Sequence, residues 1–216
     1  MMASGFDCLL KSPFRMIIAG QSGSGKTHLT VEILLNHKEL FQRTPSKIFI
    51  FYQHSQEAYK RLKEKSTIPV QLIEGLPSDD FRPPKKSVII FDDALEFDSP
   101  IITSWFTRKS HHMDCDCIYL IQNLFSKNKS QRDISLNAEY FVIFRSRRDI
   151  SQITRFNSQL MGPRQADFLP GIFKELTKDR AYSYLFVDLQ QKTPDAYRFR
   201  SSVVPEAGHT LVYQPI

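Results

Sequence analysis

Short runs of apolar residues recur along the sequence, and longer amphipathic stretches separate most of them. The runs are of strand length and rich in β-branched and aromatic residues, and several are continuously apolar, as expected of strands covered on both faces. The predicted strands are 16–19, 47–52, 69–73 (an edge strand), 87–92, 117–121 and 140–144. Toward the C-terminus, 182–189 and 197–203 alternate well enough to predict a hairpin that turns at Thr193-Pro194-Asp195.

The stretches between the strands have the composition of helices and connectors. The predicted helices are 26–37, 57–65 (a polar surface helix), 100–112, 149–161 and 164–178, the last interrupted at Pro170-Gly171. A basic loop is predicted before the strand 140–144. Alternation of strands and helices is typical of a mainly parallel sheet with helices on both faces. We therefore predict a single α/β domain over 1–216, with a lead-in (1–13), a core (14–178), and a C-terminal hairpin and tail (179–216).

A glycine-rich segment follows the first predicted strand and opens the first predicted helix. Its sequence, Gly20-Gln21-Ser22-Gly23-Ser24-Gly25-Lys26-Thr27, fits the phosphate-loop pattern G-x-x-x-x-G-K-[ST]. In such loops the backbone amides and the helix dipole surround phosphate oxygens, the lysine reaches the β- and γ-phosphates, and the threonine hydroxyl contacts Mg²⁺. A flexible linker is the alternative, but linkers are not flanked by a buried strand and an amphipathic helix. The segment therefore predicts a nucleoside triphosphate site.

Polar residues at the ends of two other strands suit the same site. One strand ends at Asp92, which Asp93 follows, and the next strand along the chain is followed by Gln122. Because ligands sit at the carboxyl ends of parallel strands, these side chains are expected beside the phosphate loop. Asp92 would complete the Mg²⁺ shell begun by Thr27, and Asp93 would orient or deprotonate an attacking water. Gln122 would hydrogen-bond that water or the γ-phosphate. An acidic turn and a capping amide are the structural alternatives.

Basic residues are concentrated in one part of the chain. Overall, 29 Lys and Arg face 23 Asp and Glu, for a net charge of +6, which by itself is compatible with a solvated basic face. Between residues 127 and 164, however, lysines and arginines greatly outnumber acidic residues. Such an excess suits a polyanion, either nucleic acid or the phosphates of a neighbouring subunit's nucleotide. Arg132, Arg148 and Arg108, in that order, are candidates for an arginine that completes a neighbour's site.

The segment His111-His112-x-x-Cys115-x-Cys117 contains four potential zinc ligands. Its spacing matches no standard zinc site, and strand alternation would turn both cysteines to the same face, so packing is the favoured interpretation. Three cysteines without a disulfide pattern suit a reducing compartment. No stretch approaches the roughly 20 apolar residues of a membrane span, so no membrane partner is expected.

Four further segments carry a family resemblance. They are Phe-Thr-Arg-Lys-Ser-His-His at 106–112, Ile-Tyr-Leu-Ile-Gln-Asn-Leu-Phe at 118–125, Ile-Ser-Leu-Asn-Ala-Glu-Tyr at 134–140 and Arg-Arg-Asp-Ile-Ser-Gln-Ile at 147–153. Together they resemble the genome-packaging ATPases of Polinton (Maverick) elements and adintoviruses, which are relatives of the poxvirus packaging ATPase in the FtsK–HerA superfamily. The similarity runs from the phosphate loop to the terminal hairpin.

The resemblance implies a RecA-like core, an oligomeric ring, ATP with Mg²⁺, and translocation of double-stranded DNA into a capsid, with capsid or portal proteins as further partners. It also implies a host nucleus or a cytoplasmic virus factory as the location. Gln122 matches the family's polar sensor, and Asp93 stands where cellular relatives usually have Glu. Arg132 is the preferred arginine finger because it lies just before the strand 140–144.

Three functions remain open from the residues alone. The first is a DNA-packaging motor ATPase. The second is a P-loop kinase of a nucleotide or small molecule, in which the arginines near 145–148 would form a lid. The third is a nucleotide-dependent assembly scaffold. Asp93 and Gln122 favour water as the phosphoryl acceptor over a substrate hydroxyl, and the intact hydrolytic residues argue against a scaffold.

Overall fold

A computed structural model of the chain describes residues 7–92, 100–124, 129–145, 151–176, 178, 181–204 and 210–215. The strands are β1 Arg15–Ala19, β2 Ile48–Tyr52, β3 Val70–Glu74, β4 Val88–Phe91, β5 Asp116–Ile121, β6 Tyr140–Phe144, β7 Tyr184–Asp188, β8 Phe199–Arg200 and β9 Val212–Tyr213. The helices are α1 Lys26–Leu35, α2 His37–Leu40, α3 Glu57–Lys65, α4 Pro100–Ser104, α5 Ser110–His112, α6 Lys129–Asn137, α7 Ser151–Met161 and α8 Phe168–Leu176. A π-helical turn, Trp105–Lys109, joins α4 to α5.

The strands form one sheet in the order β3-β2-β4-β5-β1-β6-β7-β8-β9. The pairs from β3 across to β6 are parallel, and those from β6 to β9 are antiparallel. The mainly parallel α/β sheet, the edge position of β3 and the C-terminal hairpin are thus confirmed. β1 lies in the interior of the sheet, with β5 and then β4 on one side and β6 and then β7 on the other.

Apolar side chains are buried on both faces of the sheet. In β1, Met16 and Ile18 contribute to one core cluster, whereas Ile17 and Ala19 contribute to the other. This division follows from the alternation of side chains along a strand. Helix α1 packs Leu29 and Ile33 into the first cluster, as predicted. Because β1 is buried on both faces, the loop that follows it is anchored on a rigid support.

Two predicted segments were wrong. Residues 129–137 form α6 rather than the predicted loop. The sequence does not predict this helix because only Gln131 and Ile134 are buried, which leaves too sparse an apolar pattern. Helix α8 is not interrupted by Pro170. The proline lies in the first turn, where its missing N–H has no intrahelical partner to lose. Within the described ranges, no helix combines the length and apolar content needed to cross a membrane.

Candidate functional site

The glycine-rich segment forms a tight loop between β1 and α1. Gly23 and Gly25 have φ values of 75° and 102°, in the left-handed region that glycine adopts without a steric penalty. Gly20 is required for a different reason: a β-carbon there would lie 2.5 Å from Ser24 Oγ and 2.7 Å from Phe144 Cβ. The loop therefore depends on glycine both for its turn and for its close approach to β6.

Lys26 begins α1 and its ammonium group lies over the loop. Its Nζ donates hydrogen bonds to the carbonyl oxygens of Gly20, at 2.6 Å, and Gln21, at 3.3 Å. Only 7% of the residue is exposed. The positive charge is therefore held at the mouth of a loop whose amides suit phosphate oxygens.

Asp92 follows β4 directly and lies in the same pocket as the loop. It is 4% exposed, and its Oδ2 accepts hydrogen bonds from Tyr59 Oη, at 2.6 Å, and from Gln56 Nε2, at 2.8 Å. Tyr59 lies on α3 and Gln56 immediately precedes that helix. Two donors on one oxygen restrict the rotation of the carboxylate, so Asp92 presents its group to the pocket in a defined orientation.

Gln122 follows β5 and is exposed at the same edge of the sheet. It lines the pocket together with the phosphate loop, His54, Gln56 and Asp92. The pocket is an open cleft of about 450 Å³, within the usual range for ligand sites. The fold thus brings together Lys26, Thr27, Asp92 and Gln122, as the parallel strands predicted.

A protein-family model shows to which family this chain belongs. The model of the family described as poxvirus A32 protein matches residues 3–166, which is more than half of the chain. This chain belongs to the poxvirus A32 protein family. The predicted kinship with the poxvirus packaging ATPase is therefore confirmed. A search of curated proteins found no match to the sequence.

Solved structures show the same fold as this A32-family chain. The genome packaging NTPase B204 from Sulfolobus turreted icosahedral virus 2, in complex with sulfate, matches with a TM-score of 0.53 at 16% identity, covering 94% of this chain and 97% of B204. The same NTPase in complex with ATP-gammaS gives 0.52 at 14% identity, covering 94% and 98%. B204 from Sulfolobus turreted icosahedral virus, described as a DNA-packaging ATPase, gives 0.51 at 15%, covering 96% and 100%. The predicted RecA-like P-loop fold is confirmed.

The remaining predicted site residues of the A32-family chain are Asp93 and three arginines. Asp93 and Arg148 are outside the described residues. Arg132 is exposed on α6, and Arg108 is exposed on the π-helical turn, where it contacts Ser104 Oγ at 3.3 Å. Neither arginine is among the residues that line the pocket.

The cysteines and histidines of 111–117 are not gathered into a site. Cys115 and Cys117 are buried in the core, and burial raises the pKa of Cys115 to about 11 and that of Cys117 well above its usual value. His111 and His112 are exposed. Within the part of the chain that the structure describes, no group of three or more His, Cys, Asp or Glu side chains could hold a metal ion.

Sequence reasoning missed the two residues that hold Asp92. The predicted polar surface helix 57–65 is confirmed as α3, but its polar composition hides a buried side formed by Tyr59 and Leu62. The available signal was the i, i+3 spacing of these two residues, which marks the side facing the sheet. Because α3 follows β2, and β2 pairs in parallel with β4, the first turn of α3 lies near the end of β4, where Asp92 is found.

Proposed function

We propose that this chain is an ATP-hydrolysing motor that translocates double-stranded DNA into a viral or virus-like capsid. The observation that carries the proposal is the pocket in which a phosphate loop, Asp92 and Gln122 converge. Membership of the poxvirus A32 protein family directs this hydrolytic chemistry toward genome packaging. Capsid or portal proteins are the partners that such an activity needs.

The nucleotide is ATP, bound by the residues of the phosphate loop. Lys26 binds the β- and γ-phosphates, and the loop amides bind the oxygens around them. The related-fold NTPase B204 has been crystallised with ATP-gammaS and with AMPPCP, which supports this choice of nucleotide.

Thr27 and Asp92 fit a magnesium ion. They present a hydroxyl and a carboxylate in one pocket, and both are the oxygen ligands that Mg²⁺ prefers. When bound, the ion neutralises charge on the β- and γ-phosphate oxygens. The hydrogen bonds from Tyr59 and Gln56 restrict the rotation of the Asp92 carboxylate in this pocket.

Hydrolysis requires a base and a group that positions water. We assign the base to Asp93, which follows Asp92 in the sequence, and the positioning group to Gln122. An amide suits the second role because it donates and accepts hydrogen bonds without titrating. A carboxylate suits the first because it accepts the proton of the attacking water.

Arg132 is the proposed arginine finger of a neighbouring subunit in a homo-oligomeric ring. Its exposed position on α6, outside the pocket of its own chain, supports a role in trans. Leu136 lies four residues further along α6 and therefore on the same side of the helix as Arg132. Its side chain is 69% exposed. An apolar side chain beside the arginine is consistent with a surface that another subunit covers.

An ATPase assay with and without double-stranded DNA tests the proposal. We expect phosphate release that depends on Mg²⁺ and increases when DNA is added. A kinase would release little phosphate without an acceptor molecule, and a scaffold would bind ATP without turning it over. Purified, folded protein that binds ATP and shows no turnover in either condition would contradict the motor function.

A further inference from the structure

Tyr182 combines two unusual properties. It is 69% exposed, which is high for a large aromatic side chain, and its φ of 62° places it in the left-handed region that bulky residues rarely occupy. Backbone conformations of this kind cost free energy and are concentrated at functional sites. The combination raises the question of what the ring contacts.

The ring of Tyr182 lies against the phosphate loop. A β-carbon on Gly25 would lie 3.4 Å from Tyr182 Cδ1 and 3.5 Å from Phe144 Cε1, so the ring borders the space beside the last glycine before Lys26. The segment is held there by β6, since the Arg145 amide donates to the Ser183 carbonyl at 3.3 Å and Phe144 pairs with Tyr184. The exposed ring is therefore attached to the rigid sheet at the rim of the loop.

The strand order defines which end of a nucleotide meets Tyr182. Asp92 and Gln122 follow β4 and β5, on one side of β1, whereas Tyr182 precedes β7 and lies beside the end of β6, on the other side. The γ-phosphate belongs at the Asp92 and Gln122 side, because the metal ligand and the polar sensor act there. A triphosphate that crosses the loop from that side has its nucleoside end directed toward β6 and β7.

We propose that Tyr182 is the platform on which the nucleotide base stacks. This inference rests on the proposed function, namely that the loop binds a nucleoside triphosphate. An exposed ring fixed at the nucleoside end of the loop offers a flat π surface, and every base has a complementary π-face. The platform recognises the presence of a base rather than its identity, so purine nucleotides of either kind gain from it.

The test compares a nucleotide with the same phosphate chain without a nucleoside. Binding of ATP-gammaS and of inorganic tripolyphosphate is measured by calorimetry for the wild type, Tyr182→Ala, Tyr182→Phe and Tyr182→Leu. We expect Tyr182→Ala to weaken ATP-gammaS binding by about 5- to 150-fold, the usual range for removing one stacking partner. The affinity of Tyr182→Ala for tripolyphosphate should equal that of the wild type. Tyr182→Phe should keep the wild-type affinity for ATP-gammaS because it keeps the aromatic face. Tyr182→Leu should lose affinity for ATP-gammaS as Tyr182→Ala does, because its side chain is apolar but not aromatic.

The controls separate stacking from effects on the loop. Leu211→Ala removes another exposed apolar side chain, next to the edge strand β9, and should leave both affinities unchanged. An equal loss of ATP-gammaS and tripolyphosphate affinity in Tyr182→Ala would mean that the ring supports Gly25 instead, and would overturn the platform while leaving the proposed function intact. Unchanged ATP-gammaS affinity in that variant would overturn it as well. A wild type that binds neither ligand would overturn the proposed function together with the platform.

Discussion

At the scale of single residues, the orientation of Asp92 depends on side chains from another strand–helix unit. Tyr59 Oη and Gln56 Nε2 both donate to Oδ2, and Tyr59 is fully buried. A buried carboxylate that loses a donor becomes less well oriented and less well satisfied. Groups that orient metal ligands in this way affect metal affinity without touching the metal.

Tyr59→Phe should therefore lower the affinity of the site for Mg²⁺ while preserving its shape. We expect the Mg²⁺ concentration needed for half-maximal ATP-gammaS binding to increase about tenfold, the lower end for such positioning partners. Tyr140→Phe is the matched control. Tyr140 is the first residue of β6, and its buried hydroxyl accepts a hydrogen bond from the Lys11 amide, away from Asp92. If both variants show the same Mg²⁺ dependence as the wild type, Tyr59 does not position Asp92 for metal binding.

Lys26→Ala removes the ammonium group that lies over the loop. We expect ATP turnover to be abolished and ATP affinity to decrease, because the point charge on the β- and γ-phosphates is lost. Lys38→Ala, at an exposed position on α2, is the control for loss of a positive charge elsewhere. Wild-type turnover in purified Lys26→Ala protein would contradict the assignment of the loop.

Asp93→Asn separates nucleotide binding from chemistry. The substitution keeps the shape of the side chain but removes the proposed base, so ATP should still bind while hydrolysis falls by roughly a hundredfold or more. Single-turnover kinetics and equilibrium binding on the same preparation measure the two effects. A loss of affinity with unchanged residual turnover would instead indicate a metal or structural role.

At the scale of elements, α6 is the helix whose outward side carries a proposed function. Gln131 and Ile134 attach it to the core, and the Gln131 side chain contacts the Asn123 carbonyl just beyond β5. Arg132 therefore lies on a helix that is fixed to the sheet next to Gln122, yet its own side chain is exposed. A helix anchored in this way can present an arginine to a neighbouring subunit without a flexible loop.

Mixing two inactive variants tests whether Arg132 acts in trans. Arg132→Ala should bind ATP normally and hydrolyse it slowly, since arginine fingers contribute about 10³ to 10⁵ in rate. A mixture with Lys26→Ala should regain activity, because some interfaces then pair an intact loop with an intact finger, and the recovery should decrease on dilution. Absence of recovery in mixed oligomers confirmed by native mass spectrometry would remove Arg132 from this role, and Arg148 and Arg108 would be examined next.

At the scale of the whole molecule, a buried acid connects the start of the chain to the core. Asp116, the first residue of β5, is fully buried and accepts hydrogen bonds from Ser12 Oγ, at 3.0 Å, and the Phe14 amide, at 3.1 Å. Burial raises the pKa of Asp116 to about 6, although the hydrogen bond from Phe14 and the nearby Arg43 oppose the shift. The folded protein therefore binds this proton more tightly than the unfolded chain does.

The stability contributed by Asp116 protonation is complete below about pH 4 and is lost as the pH rises through about 6. Asp116→Asn should abolish this loss, because an amide can accept from Phe14 and donate to Ser12 without becoming charged. Urea unfolding between pH 4 and pH 7.5 measures the difference. The variant should gain on the order of 3 kcal/mol relative to the wild type across that range. A difference between the two proteins that is independent of pH would contradict the raised pKa.

The sequence alone determined those features that depend on neighbouring residues. The phosphate loop was recognisable because its glycines, Lys26 and Thr27 are contiguous, and the positive φ values of Gly23 and Gly25 follow from the turn that they must make. The strands were recognisable because central strands of a parallel sheet are continuously apolar. The convergence of Asp92 and Gln122 followed from the common edge of such a sheet.

Only the tertiary structure decided which distant side chains complete the site. Tyr59 reaches Asp92 because β2 pairs with β4, and Tyr182 reaches Gly25 because β7 returns antiparallel beside β6. Strand order is set by the packing of the whole core, and periodicity along the chain carries no record of it. Long-range packing also decides the structure of residues 129–137. Their apolar pattern is too sparse to predict a helix, but Gln131 and Ile134 are buried against the rest of the fold in α6. Local sequence encodes the elements and the contiguous motif, whereas the partners of Asp92 and Gly25 depend on long-range packing.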